Sequence, residues 1–418
     1  MKQEAKKQVL STESYKGVRD FYPEDLAIQR YIFDTWAKTA ESFGFERYDA
    51  SVLEPSELYK AKGAQNEEMV NEQTYTFIDK GDREVTLRPE MTPTVARMVA
   101  GKRRELTFPL RWYSIPNLFR YERPQRGRLR EHWQLNADIF GSHSEMADVE
   151  IILLANQILL DFGARPEMFE IRINDRAEMQ AWYQSIGVAD SEIISQITRL
   201  NDKKRKIPVL EYAEKLQKIT GNAELTDRII LQLDQVGIHN KVSAGLDKLG
   251  IKNVVVDYSL ARGFDYYTGT IFEIFDVSGK NNRSMLGGGR YDNLTGLFGG
   301  DPIPAVGFGM GDVTMRDFLE THDLLPKNLQ TVDIALIPMK QEYALEAEKI
   351  AQAIRATGRK VYVSLADKKV GDHIKQAEAR NAQSIIVIGE EEIASGIFTL
   401  KTLASGSEIK GTISDLLK

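Results

Sequence analysis

From Val332 to Lys418 short apolar runs alternate with helix-period segments, and this alternation restricts the fold more than any other feature of the chain. Val332-Asp-Ile-Ala-Leu-Ile-Pro338 reads as a buried strand. Ala347, Ile350, Ala351 and Ile354 then recur at helical spacing before Gly358 stops the helix. Lys360 to Leu365, a helix through Ile374 and Ala382, and Ser384 to Gly389 complete a βαβαβ run. Strands joined through helices can pair in parallel, so a small parallel or mixed sheet covered by helices is expected, an α/β domain spanning 331–418. The polar stretch His322 to Gln330 joins it to the rest of the chain.

The segment before it reads differently. Arg83 to Arg88, Leu106 to Glu122, His132 to Gly141, Val254 to Tyr258, Ile271 to Asp276 and Ala305 to Met310 look like strands separated by long connections. That pattern predicts an α+β domain over 1–325 built on one large antiparallel sheet. A mostly helical stretch at about 177–249 reads as an insertion, with Lys203-Lys-Arg-Lys206 as a solvated helix end. The chain's 418 residues suit two or three domains. The last 88 residues balance 12 basic against 12 acidic groups, so the net charge of −6 belongs to the larger part.

Several function classes are excluded by what the sequence lacks. No run reaches the roughly 18 apolar residues of a membrane span, and the charged N-terminus has no apolar core of a secretory signal, so a cytoplasmic protein without membrane contact is expected. With no cysteine, thiolate metal sites and thiol nucleophiles are impossible. The histidines, His132, His143, His239, His322 and His373, show no ligand spacing, and no protein-held metal is assigned. A net negative charge is not that of a general nucleic-acid binder, so such a partner would have to meet a local patch.

Four segments can carry chemistry. In Phe119-Arg-Tyr-Glu-Arg-Pro-Gln-Arg-Gly-Arg-Leu-Arg-Glu-His-Trp-Gln-Leu-Asn-Ala-Asp138 period-two alternation puts Arg120 and Glu122 on one face. It likewise puts Gln134, Asn136 and Asp138 opposite the apolar Trp133, Leu135, Ala137 and Ile139. A solvated arginine hairpin would look the same, but guanidinium forks beside a cleft face suit phosphate oxygens. The second segment is Ala261-Arg-Gly-Phe-Asp-Tyr-Tyr-Thr-Gly-Thr270, and the third is Gly287-Gly-Gly-Arg-Tyr-Asp292 with Pro304-Ala-Val-Gly-Phe-Gly-Met-Gly311. The third lacks the Lys-Ser/Thr ending of a P-loop. The fourth is Thr86-Leu-Arg-Pro-Glu-Met-Thr92, in which a helix-start carboxylate would also explain Glu90.

Together and in this order, these segments resemble the histidyl-tRNA synthetases, a family of class II aminoacyl-tRNA synthetases, from about Gly17 to the C-terminus. Phe-Arg-Tyr-Glu with the arginine loop is similar to class II motif 2. Arg262 to Tyr267 and Gly288 to Asp292 are similar to the two histidyl signatures. The resemblance implies an antiparallel catalytic sheet, a helical insertion and a C-terminal α/β anticodon-binding domain. It implies that Glu90, Met91, Thr92, Gln134, Asp138, Tyr266 and Tyr267 hold histidine, and that Arg120 and Arg262 flank the reacting centre. ATP would meet Arg120, Glu122, Arg128 and Arg290.

The implied reaction is formation of histidyl-adenylate from L-histidine and ATP, with Mg2+ on the phosphates, followed by transfer to the 3′ end of tRNA(His) in a homodimer. Two family positions differ: Ser51 stands at the motif 1 proline, and Asp312-Val-Thr314 ends without the motif 3 arginine that clamps ATP. A non-charging histidine-binding regulatory paralogue, a catalytically dead RNA-binding relative and another class II synthetase are the alternatives. Of these, the first usually lacks both the C-terminal domain and the first histidyl signature. Arg316, two positions beyond Thr314, is expected to point away from the site. Arg128 is expected to clamp the outer phosphates, assisted by Arg290.

Overall fold

The computed structural model describes residues 10–61, 73–201, 204, 207–235, 240–260, 266–281, 283–327, 332–365 and 368–417. The chain divides into two compact units, Met1–Leu325 and Pro326–Lys418.

The first unit is organised on a sheet built from β1 (Glu46–Arg47), β5 (Leu110–Ser114), β6 (Asn117–Phe119), β7 (Glu131–Phe140), β8 (Phe169–Asp175), β9 (Val254–Val256), β10 (Thr270–Asp276), β11 (Ser284–Arg290) and β12 (Ala305–Gly311). Its order is β1-β5-β7-β12-β11-β10-β8-β9, with β6 also on β7. The six strands from β5 to β8 pair antiparallel, but β1 joins β5 and β9 joins β8 in parallel, so the sheet is mixed at its edges. The parallel pairing of β8 with β9 follows from the helical crossover between them, which returns the chain to the same end of the sheet. Arg83 to Arg88 does not join this sheet. It forms β4 (Glu84–Leu87) in a separate three-stranded sheet, between β2 (Leu53–Pro55) and β3 (Tyr75–Ile78).

Apolar alternation decides which face of the large sheet is dry. Leu135, Ala137 and Ile139 of β7 and Val306, Phe308 and Met310 of β12 are buried in one core with helices 23–42, 145–161 and 312–321. Helix Glu145–Asp161 is apolar almost all round, as a helix packed between sheet and outer helices must be. Ser144 starts it by accepting Met146 N–H at 3.2 Å. With these helices on one face, the opposite face of the sheet is left for the site.

The crossover contains helices 176–185, 191–201, 209–220, 223–233 and 241–248. It has its own core around Tyr183, Ile197, Tyr212, Leu216 and Ile229, and the buried Asn201 bonds Tyr183 Oη and Tyr212 Oη. Of the basic run only Lys204 is described, paired with Asp234 at 2.5 Å.

The second unit has the order β14 (Val361–Val363), β13 (Val332–Pro338), β15 (Ala382–Ile388), β16 (Phe398–Thr402), β17 (Glu408–Gly411). The first three are parallel, with helices 344–355 and 370–379 as the crossovers. A final antiparallel hairpin makes the sheet mixed. Among the described residues no helix is long and apolar enough to cross a membrane.

Candidate active site

The site starts from β7, whose polar alternate residues Gln134, Asn136 and Asp138 line a small enclosed pocket. Strand β12 lies beside them, with Gly307 opposite Asp138 and Gly309 opposite Asn136. These glycines are required by space. A Cβ on Gly307 would stand 1.9 Å from Asp138 Oδ1, and one on Gly309 would stand 2.6 Å from Gln134 Nε2. The pocket exists because the facing strand presents backbone rather than side chains.

Glu90 and Thr92 enter the lining from the turn after β4, Tyr267 from just before β10 and Tyr291 from just after β11. Tyr266 Oη donates to Glu90 Oε2 at 3.1 Å. Its ring packs edge to face on Tyr267 and Tyr291 at 5.1 and 5.7 Å. Tyr291 Oη donates to Asp138 Oδ1 at 2.5 Å. Burial still pushes the Asp138 carboxyl up to about 7. Burial, then the nearby Asp138 charge, hold the Tyr291 phenol well above its ordinary range, so Tyr291 stays a donor. A dry carboxyl with one oxygen already satisfied suits a ligand N–H.

A cavity of about 290 Å³ adjoins this pocket, sharing Gln134, Tyr267, Gly287 and Gly309 with it. Its wall carries Arg120, Arg128 and Arg283 together with Glu122 and Glu273. Arg120 Nε donates to Pro89 O at 2.8 Å, which fixes the guanidinium next to Glu90 at the junction of the two spaces. Burial holds Arg120 below the ordinary guanidinium value, so an incoming anion would be stabilising there. Arg128 Nε lies 2.5 Å from Glu122 Oε2. His132, also in the wall, is pushed down to about 3, chiefly by burial and then by Arg120, Arg19 and Arg128. It is a neutral imidazole at any working pH.

The arginine loop between β6 and β7 turns at Gly127, where φ is +72°. Residues near the start of the chain strap it in place. Arg130 N donates to Gly17 O at 2.7 Å, and its guanidinium reaches Tyr15 Oη at 3.1 Å and Glu122 O at 3.1 Å. The same guanidinium lies 4.1 Å over the Tyr121 ring. Asp312, buried at the start of its helix, accepts Arg19 Nη2 at 2.6 Å and Trp133 N at 3.0 Å. Arg130 is therefore a brace of the loop rather than a group facing the cavity.

Of the residues singled out in the sequence, the structure brings Glu90, Thr92, Gln134, Asp138 and Tyr267 around the small pocket, with Tyr266 behind Glu90. It brings Arg120, Glu122 and Arg128 into the larger cavity. Met91 is fully buried and outside the lining, and its carbonyl accepts Val95 N at 3.0 Å as the helix begins. Arg290 does not meet the expectation of a nucleotide contact. Its guanidinium bonds both oxygens of Asp148, Ser142 O at 2.9 Å and Ser144 O at 3.2 Å, which turns it away from the cavity to anchor the buried helix. Arg262 lies outside the described residues. Arg316 pairs with Asp25 at 3.0 Å and Glu320 at 2.8 Å, away from both spaces. Tyr291 was missed as a pocket residue: the glycines before it carry no alternation that could assign it a face, and it follows directly on β11.

This sheet, with helices on one face and an enclosed polar pocket opening into a basic cavity on the other, is the class II aminoacyl-tRNA synthetase fold. A family model described as histidyl-tRNA synthetase matches residues 17–312, and one described as an anticodon binding domain matches residues 333–418. A histidine--tRNA ligase of Leptospira biflexa is 43% identical, covering 99% of this chain and 98% of the relative. One of Thermoplasma volcanium is 37% identical, covering 98% of each. The crystal structure of histidyl-tRNA synthetase from Nostoc sp. PCC 7120 has a TM-score of 0.83 at 24% identity, covering 98% of each chain. The chain belongs to the histidyl-tRNA synthetase family.

Proposed function

We propose that the protein is a ligase that activates L-histidine with ATP and transfers the histidyl group to the 3′ end of tRNA(His). The observation that carries the choice of histidine is the Asp138–Tyr291 pair buried in a pocket too small and too polar for a large apolar side chain. The imidazole N–H donates to Asp138, and the α-ammonium faces Glu90 and Thr92. An apolar analogue would leave the second Asp138 oxygen dry and unmatched, which is costly.

The carboxylate of bound histidine then points into the larger cavity, beside Arg120. ATP lies there with its α-phosphate on Arg120 and its outer phosphates towards Arg128, while Arg262 acts from the other side of the reacting centre. A carboxylate oxygen attacks the α-phosphorus and pyrophosphate leaves. The terminal ribose hydroxyl of tRNA then attacks the acyl carbon and AMP leaves. No protein nucleophile takes part. Positioning two anions and neutralising their charge supply the rate. Mg2+, arriving with ATP, would offset phosphate charge, and the Glu122 and Glu273 carboxylates in the wall are the hard oxygen donors that suit it. His132, neutral and buried, contributes no charge to this balance.

In the same reading the second unit recognises the anticodon, the working form is a homodimer, and the protein acts in the cytoplasm. Histidine-dependent exchange of labelled pyrophosphate into ATP tests the first step directly. Exchange with histidine and none with other amino acids is expected. Charging-competent tRNA(His) with no histidine-dependent exchange would overturn the proposal.

A further inference from the structure

Strand β7 pairs with β12 as far as Gln134 opposite Gly311. Beyond that pair β12 gives way to helix 312–321, and the next residue of β7, Trp133, faces the helix start instead of a strand. Gln134 N–H points the other way, to Pro116 O at 3.1 Å, so alternation turns Trp133 N–H to the side where β12 has ended. The Asp312 carboxylate fills the gap. Its Oδ1 accepts Trp133 N–H at 3.0 Å, a ladder bond continued by a side chain, and its Oδ2 accepts Arg19 Nη2 at 2.6 Å. Asp312 is buried, and the Arg19 guanidinium balances a charge that would otherwise be costly there.

The pair sits where the larger cavity is framed. On β7, His132 and Gln134 flank Trp133, and both line that cavity. On the helix side, Gly311 and Val313 flank Asp312 and line it too, followed by Thr314. Arg19 lies outside the linings of both spaces, yet it is near enough for its charge to help push His132 down.

Arg19 reaches Asp312 from a segment fastened at its other end to the arginine loop. Gly17 O accepts Arg130 N–H at 2.7 Å. At Gly17, where φ is +89°, a Cβ would stand 2.8 Å from Pro124 Cγ, so the segment lies directly against the loop. Further on, the Phe21 ring packs edge to face on Trp133 at 5.3 Å, with the Arg19 guanidinium 4.8 Å over it. Residues 17–21 therefore join the loop that brings Arg128 to the cavity with the helix start that brings Thr314. These two walls come together at the rim, where a Cβ on Gly127 would lie 3.6 Å from Thr314 Cγ2.

We infer that Arg19 and Asp312 are a positioning pair for ATP: Arg19, bound to Asp312 and tied through Gly17 to the arginine loop, sets the spacing of the two walls between which the nucleotide binds, without touching it. This inference rests on the ATP-dependent reading given above. The effect is selective. From Asn136 onward β7 is paired on both sides, with β5 and with β12, so the end of the strand that carries Asp138 is held without help from the pair. Loss of the tie should therefore reach ATP and spare histidine.

The test uses the full chain with Arg19→Ala, Arg19→Lys and the double variant Arg19→Ala/Asp312→Asn. Equilibrium binding of ATP and of histidine, Tm and histidine-dependent exchange are measured for each. Arg19→Ala strands a buried carboxylate and also cuts the tie. It should lower Tm and raise the ATP dissociation constant about tenfold or more, with histidine binding within about twofold of the parent. In the double variant the stranded charge is gone and asparagine still accepts Trp133 N–H. Its Tm should return most of the way to the parent value while ATP binding stays weaker by about fivefold or more. Arg19→Lys keeps the ion pair and should hold ATP binding within about threefold. A residue needed only for stability would behave otherwise, because ATP binding would recover together with Tm. That joint recovery, unchanged ATP binding in Arg19→Ala, or equal losses for ATP and histidine would overturn the assignment. If Arg19→Ala does not fold, the double variant carries the comparison. ATP binding needs no turnover and judges the pair, whereas exchange by the parent judges the ATP-dependent reading, so the two failures are distinguishable.

Discussion

Replacing Asp138 by asparagine should stabilise the unliganded protein while it impairs histidine binding. Asp138 is 3% exposed and its carboxyl is pushed up to about 7 from an ordinary 3.8. Its folded value is raised, so between pH 3.8 and 7 the native state retains a proton that the unfolded chain releases. Stability therefore falls as pH rises through that window and is flat above it. Once the group is ionised the accumulated cost is about 4 kcal/mol. Asparagine is neutral throughout and can still accept from Tyr291 Oη, although a neutral acceptor is weaker by about 1–2 kcal/mol. The net gain at pH 8 is about 2–3 kcal/mol, a rise in Tm of roughly 3–4 °C for a unit of this size. At pH 5 most of the cost is absent and the gain should vanish. Thermal unfolding of parent and Asp138→Asn at the two pH values, without ligand, reads this difference, and the histidine KM should rise at least tenfold. A Tm difference independent of pH would refute the reasoning, because it would mean that Asp138 is not strained by ionisation in its pocket.

Arg128→Ala should raise the ATP KM at least tenfold, on the order of 1.4 kcal/mol, whereas Arg316→Ala should change it less than twofold in pyrophosphate exchange. Gly309→Ala should fold, because only the Gln134 side chain must move, but the histidine KM should rise at least tenfold with ATP binding within twofold; an unchanged histidine KM would show that Gln134 is not part of the pocket. Arg262→Ala should slow single-turnover adenylate formation by several hundred-fold with histidine binding retained, and a loss within tenfold would remove it from the reacting centre. A chain ending at Gln330 should retain exchange and lose tRNA charging, which aminoacylation with excess tRNA will show; loss of both in a folded truncation would make the units inseparable.

Period carried most of the fold that could be read in advance. In β7 the polar and apolar alternation sorted Leu135, Ala137 and Ile139 into the core and Asp138 into the pocket. In the second unit the helical spacing of Ala347, Ala351 and Ile354 located a helix whose inner face is those residues. Strand β11 gave no such signal. Three consecutive glycines erase apolar alternation, so Ser284–Arg290 was not among the strands read from the sequence although it lies in the middle of the sheet. The glycines are there for close approach: a Cβ on Gly288 would meet Gly307 O at 2.4 Å. Strand β4 failed for another reason. Its alternation was visible, but alternation does not say which sheet a strand joins, and pairing with β2 and β3 depends on distant residues.

Arginines show why the site was only half legible. A guanidinium in the sequence announces that an anion is near, but a protein holds anions of its own, and carboxylates and carbonyls compete with phosphate for the same fork. Arg290, directly after three glycines, had every local mark of a nucleotide contact and is bound by Asp148, well over a hundred residues earlier. Arg130 is bound by carbonyls and the Tyr15 phenol in the same way. Arg283 had no local mark at all, because the residues that make it a cavity group, Gly127 and Thr314, come from two other elements. What sorts these arginines is which internal acceptors the fold brings within reach of each one, and that is a property of sheet order. Strand β11 pairs with β10 and β12, and this places its first end beside the arginine loop and its last end over helix Glu145–Asp161. Two arginines one strand apart therefore meet opposite fates, one lining the cavity and one bound to Asp148. No reading that treats arginine density as a single patch can separate them.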